Sequence, residues 1–201
     1  MSMHGTMLAN ASAADRNAYD FYATPWEATQ ALLNFFNITG CTVWEPACGD
    51  GDMAKIIRSN GNIVIATELR DTGYGLPGVD FLTCSVPENV DWIITNPPFN
   101  LSVEFIERCL EHGKKFALLL KSQYWHSKKR LSLFEKHAPS HVLPLTWRPD
   151  FHHGLKGGSP TMEVAWTVWD AVPSNVTAYY PLKKPSAIRA THPSGGDRHG
   201  E

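Results

Sequence analysis

The chain lacks the features that would place it in a membrane, in a disulfide scaffold or among fibrous proteins. No apolar run in its 201 residues approaches the roughly 18 to 20 needed to cross a bilayer, and residues 1–16 lack a basic stretch followed by an apolar block. A cytoplasmic protein, bacterial or in a phage-infected host, is the expectation. The four cysteines, at 41, 48, 84 and 109, contain no Cys-x-x-Cys pair, so neither a zinc cluster nor a disulfide framework is expected, and the thiols read as reduced. No internal repeat is visible. With 43% hydrophobic and 19% charged residues the chain can bury one sizeable core, which excludes disorder throughout.

Net charge is also nearly absent, at −2, but the charges are segregated. Residues 1–100 carry four Lys or Arg against eleven Asp or Glu, whereas residues 112–156 carry nine basic residues against Glu135 and Asp150. A basic segment in a weakly acidic chain suits an anionic polymer such as nucleic acid, although solvated helix faces also collect lysine.

Elements alternate along the chain. Thr24 and Pro25 suit a helix cap and first turn, predicting a helix over 25–37. Residues 42–46 read as a short strand, and Ala47-Cys48-Gly49-Asp50-Gly51-Asp52 as a turn into a helix ending near Asn60-Gly61. Buried strands follow over 62–69, 79–82, 91–95 and 115–120, with helices over 101–112 and 127–137, then strands over 141–145 and 163–169. Strands separated by helices predict an α/β domain with a mainly parallel sheet. The domain is expected over 21–182, between a flexible 1–20 segment and a flexible polar tail at 183–201. Residues 147–161 form a long Gly-, His- and Pro-rich loop.

Ligands in such sheets bind at the carboxyl ends of the strands, so the residues closing each strand carry the information. The loop Glu45-Pro46-Ala47-Cys48-Gly49-Asp50-Gly51 allows close backbone approach at Gly49 and Gly51, but its acids would repel a pyrophosphate and favour a positively charged ligand. Glu68 suits the two hydroxyls of a ribose. Asp80-Phe81 offers an acceptor for an adenine amino group beside an apolar surface. Together these residues describe a pocket for S-adenosylmethionine.

Asn96-Pro97-Pro98-Phe99 closes the 91–95 strand. An exocyclic amino group on an aromatic base is a poor nucleophile because its lone pair is delocalised into the ring. Asn96 Oδ1 and the Pro97 carbonyl can accept its two hydrogens and direct the lone pair toward a methyl donor, with Pro98 stiffening the loop and Phe99 stacking on the base.

On these motifs the chain resembles the class I S-adenosylmethionine-dependent methyltransferases, and within them the group that modifies adenine N6, small stand-alone enzymes often carried by phages. The resemblance covers roughly residues 20–170. It implies a Rossmann-like sheet of seven strands in the order 3-2-1-4-5-7-6 with the seventh antiparallel, and Tyr22-Ala23-Thr24-Pro25 as a segment closing over the cofactor. It differs from many members in Phe99, where tyrosine is common, and in having no separate target-recognition domain. The 147–161 loop is the candidate substitute, with Trp147, Arg148 and Phe151 for base and phosphate contact and Lys121, Lys128 and Lys129 as further substrate contacts. His152 and His153 have no third ligand nearby, and no metal is expected.

The function expected from these residues is methyl transfer to adenine N6 in DNA. RNA adenine methylation stays open, as do protein glutamine methylation and a non-catalytic cofactor- or nucleic-acid-binding domain. A dinucleotide oxidoreductase would need a fuller glycine fingerprint and has no use for Asn-Pro-Pro-Phe.

Overall fold

The computed structural model describes residues 23–151, 160–173 and 175–187. Helix α1 (Trp26–Phe36) leads into β1 (Thr42–Glu45), α2 (Asp52–Ser59) and β2 (Ile63–Ala66). Next come β3 (Trp92–Thr95), α3 (Ser102–His112) and β4 (Lys115–Lys121). The short helix α4 (Leu131–Lys136), β5 (His141–Pro144), β6 (Val164–Trp169) and β7 (Ala178–Tyr179) complete the domain. No helix among the described residues is long and apolar enough to cross a membrane.

The seven strands form one sheet in the order β2-β1-β3-β4-β6-β5-β7. β6 runs antiparallel to both of its neighbours, and the remaining pairs are parallel. This is the expected α/β class, and the order of six strands is the expected one.

The expected seventh strand, over 163–169, is β6 and is antiparallel as expected, whereas the third, over 79–82, is absent. Residues 79–82 form no strand, and β2 is flanked on its outer side only by an isolated bridge between Thr67 and Leu76. Asp80 explains the failure: its Oδ1 accepts the Leu82 N–H (3.0 Å) and its carbonyl accepts those of Thr83 and Cys84 (3.1 and 2.9 Å), winding the chain into a turn. Local bonds of this kind compete with a ladder. The strand that brings the count to seven is instead β7, parallel to β5 at the opposite edge through His141↔Ala178 and Val142↔Tyr179. Leu182 then buries itself and bridges Leu145, and Lys184 pairs with Glu27 on α1 (3.2 Å).

Side chains alternate across the sheet as the period of two requires. Trp92, Ile94, Ala117 and Leu119 pack with Leu32 and Leu33 of α1 and Ile57 of α2, while Ile93, Phe116, Leu118 and Leu120 pack with Phe105 and Ile106 of α3. Strands buried on both faces account for the continuous apolar runs in the sequence. The expected 127–137 helix is broken in two: a single 3-10 turn at Lys128–Arg130, then α4.

Neighbouring β1 and β3 send their connections to opposite faces, and the cleft beyond their carboxyl ends is where such sheets bind ligands.

Candidate active site

A cavity of about 270 Å³ opens in that cleft. Its walls come from every strand end on this half of the sheet: Glu45, Ala47 and Cys48 after β1, Glu68 and Arg70 after β2, Asp80 and Phe81 from the turn that replaces the expected strand, and Asn96 and Pro98 after β3. Ala23 and Thr24 close it from the segment before α1, and Asp50, Asp52 and Met53 from the start of α2. Residues separated by more than seventy positions are thus gathered by sheet topology.

The glycine turn is shaped by backbone conformation. Gly49 (φ 51°) and Gly51 (φ 81°) adopt left-handed angles that suit glycine. A Cβ on Gly51 would lie 2.3 Å from the Tyr74 ring, whose hydroxyl accepts a hydrogen bond from Arg58 Nη1 (3.1 Å). Thr72 Oγ1 donates to the Gly49 carbonyl (2.7 Å), so the 72–75 stretch clasps the turn from outside.

The cavity is acidic. Five carboxylates line it, from Glu45, Asp50, Asp52, Glu68 and Asp80, against the single basic residue Arg70, which pairs with Glu68 (3.3 Å). Glu45 is 2% exposed, and its Oε2 has no hydrogen-bond partner among the described residues. Burial, reinforced by the charges of Asp52 and Glu68, holds its carboxyl well above the ordinary range against the opposing pull of the Ala54 backbone bond. Cys48 lies beside it, its thiol pushed up to about 12 by burial and then by Glu45 and Glu68, so it is protonated and no nucleophile at neutral pH. A ligand with positive charge would relieve this concentration of acid.

Glu68 is engaged differently from the expectation of a free ribose acceptor. Oε2 accepts the Gly49 N–H (3.0 Å), and Oε1 accepts the backbone N–H and Nε–H of Arg70 (3.2 and 3.3 Å), tying the end of β2 to the glycine turn. A carboxylate offers about four acceptor positions, so capacity remains for a ligand hydroxyl. Phe81 lines the cavity from a fixed place in the core, against Trp44 and Phe105 with centroids 5.2 and 4.7 Å away.

At the rim, Asn96 emerges from β3. Its Nδ2 donates to Thr24 Oγ1 (3.1 Å), while Oδ1 is buried with no partner among the described residues. Thr24 was expected to cap α1; Pro25 is the residue preceding the helix, with no side-chain cap, and the threonine hydroxyl faces Asn96 instead. Beyond Pro97 and Pro98 the loop turns into a 3-10 segment, Phe99–Leu101, closed by the Leu101 N–H on the Pro98 carbonyl (2.9 Å) and by Ser102 Oγ on the Phe99 carbonyl (2.9 Å). The Lys121 ammonium lies 4.1 Å from the Phe99 ring centroid, a cation–π contact that places a positive charge beside Asn96-Pro97-Pro98-Phe99.

The other substrate candidates are not gathered in the same way. Phe151 is 5% exposed inside the core with Trp166 and Val164, so it is a packing residue rather than a base-stacking one. Trp147 is half-buried against the same cluster, and Arg148 pairs with Glu163 (2.6 Å) on the surface. Lys128 is exposed on its 3-10 turn, whereas the Lys129 side chain, Tyr22, His152 and His153 lie outside the described residues. Lys115 and Arg130, counted in the basic segment, are internally engaged: Lys115 with Asp170 (2.8 Å) and Arg130 with the Tyr124 carbonyl (2.7 Å) and ring. Tyr74, Asp52 and Met53 were missed. Asp52 and Met53 follow Gly51 directly and were within reach of a reading that continued the motif into the helix, but nothing local marks Tyr74.

No protein-family model matches the chain, and no curated protein matches it in sequence. Among solved structures it is similar to the methyltransferase subunit of a type I restriction-modification system from Streptococcus thermophilus, at 16% identity over 81% of this chain and 47% of that one, with a TM-score of 0.57. It is also similar to a dimethyladenosine transferase from Plasmodium falciparum (15% identity, 77% and 63% of the two chains, TM-score 0.52). A third is the 23S rRNA methyltransferase ErmE (12%, 84% and 71%, TM-score 0.52). The chain spans about half the length of the type I restriction-modification subunits it matches. The shared feature is the fold, which is the Rossmann-like fold of S-adenosylmethionine-dependent methyltransferases.

Proposed function

We propose that this protein transfers a methyl group from S-adenosylmethionine to the exocyclic N6 amino group of adenine in DNA. The observation that carries the reading is Asn96: a buried, unpartnered amide oxygen at the rim of a carboxylate-lined cavity, with an aromatic ring and a cation beside it. The unpartnered Glu45 oxygen and the five carboxylates fit a cofactor with a cationic end, and the cleft beyond β1 and β3 fits its nucleoside. When bound, that cofactor supplies an electrophilic methyl on a sulfonium centre. Asn96 Oδ1 and the Pro97 carbonyl accept the two amino hydrogens and localise the nitrogen lone pair, which is aimed into the cavity. Phe99 stacks on the adenine with the ring face not covered by Lys121, and Lys121 with Lys128 offers charge to the phosphates. The solved methyltransferases of like fold, from restriction-modification and ribosomal RNA modification, support a nucleic-acid substrate.

The test is transfer of a tritiated methyl group to duplex DNA, single-stranded DNA and structured RNA, with nucleoside analysis of the product. N6-methyladenine from DNA is expected, and Asn96→Ala should lower turnover on the order of 100-fold or more with little change in cofactor binding. Product from RNA alone would transfer the same chemistry to RNA, and near-normal turnover of Asn96→Ala would remove the assignment.

A further inference from the structure

An asparagine amide is an acceptor on one side and a double donor on the other. For Oδ1 to serve as an acceptor the amide must be held at the rim, and its side-chain partner among the described residues is 72 positions away: Nδ2 donates to Thr24 Oγ1 at 3.1 Å, a bond that fixes the plane of the amide and leaves Oδ1 outside it.

Thr24 is itself firmly placed. It is 6% exposed, and it precedes a helix whose first turn is fixed by the Ala28 N–H on the Pro25 carbonyl (3.0 Å) and by the buried Trp166 indole N–H on the Ala28 carbonyl (2.8 Å). Ala23 and Thr24 also form one wall of the cavity. We infer that Thr24 is a positioning residue for Asn96, its hydroxyl holding the plane of the amide so that the Asn96 acceptor stays at the rim of the cavity. This rests on the function proposed above and adds to Thr24 a role distinct from cofactor contact.

Thr24→Val preserves shape and burial but removes the acceptor, whereas Thr24→Ser keeps it. The valine variant should lose turnover on the order of 10- to 100-fold, the scale on which small misplacements act. KM for cofactor and nucleic acid should stay within about twofold, marking an interaction made in the transition state. Serine should restore most of the rate. A valine variant with normal turnover, a serine variant as impaired as valine, or a defect confined to cofactor KM would overturn the inference. A second readout needs no activity: the Nδ2 protons of Asn96, identified by their loss in Asn96→Asp, should be protected from exchange with solvent in the unaltered protein and in Thr24→Ser and exchange faster in Thr24→Val. Equal protection in Thr24→Val means that the bond does not hold Asn96. If instead no amine substrate is methylated by the unaltered protein, the proposed function fails while the exchange result still decides whether Thr24 holds Asn96.

Discussion

Gly51→Ala should destabilise the protein through two separable effects, and Tyr74 separates them. The first is the backbone: at φ 81° an alanine is held in the left-handed region, which costs an L-residue about 1 to 2 kcal/mol. The second is the ring: the new methyl would lie 2.3 Å from Tyr74, so the ring must move and surrender its bond from Arg58, worth about 1 kcal/mol net and less where water can replace it. The expected total is about 2 to 3 kcal/mol in urea unfolding, a clear shift for a domain of marginal stability. In a Tyr74→Ala background the ring is gone, and Gly51→Ala should cost only the backbone part, leaving a coupling of about 1 kcal/mol in the double-mutant cycle. Equal cost of Gly51→Ala in both backgrounds would refute the seating of Tyr74 on the glycine turn. Because Gly51 ends the loop that opens onto the cavity, the single variant should also weaken binding of the cofactor or its demethylated product, and the Tyr74→Ala background should restore part of that loss.

Glu45 should tie stability and binding to pH. Its carboxyl is raised by burial, so the folded state holds this proton more tightly than the unfolded one; its contribution is fully present below the unfolded value of about 4.3 and is lost as pH rises toward the folded value. Glu45→Gln should flatten that part of the pH–stability curve in thermal melts, and an unchanged curve would contradict the burial effect. Glu68→Ala should weaken binding of the demethylated cofactor by about 1 to 3 kcal/mol in calorimetry and also lower stability, since the buried Gly49 N–H loses its acceptor. Charge reversal at Lys128 should weaken nucleic-acid binding for all sequences alike and reduce its salt dependence, and salt-independent binding would return the basic segment to a solvated face.

Sequence alone determined the α/β class, six of the strands and the types of residue that close them, because each of these is written locally. Buried strands read as apolar runs, Asn-Pro-Pro ends a ladder wherever it occurs, and paired glycines mark a turn that needs left-handed angles. The polar strand ends could therefore be named one by one, and the sheet brings Glu45, Glu68, Asp80 and Asn96 to a single cavity. The errors lie where composition does not disclose a residue's partner, whether that partner is near in the chain or distant. The 79–82 segment has a strand's composition, but Asp80 gathers three backbone N–H groups into a turn, and the edge position is filled at the far side by β7, whose two residues carry no pattern of their own. Phe151 reads as an exposed aromatic in a polar loop, yet the space beside Trp166 takes it into the core. Tyr74 on Gly51 and Thr24 on Asn96 join segments that only the packing of helices on the sheet brings within reach. Local periodicity records how much of each element is buried. Which side chains then meet across the cavity is decided by the packing of α1 on the sheet, where Ala28 meets Trp166 and Thr24 reaches Asn96, and only the folded chain contains that geometry.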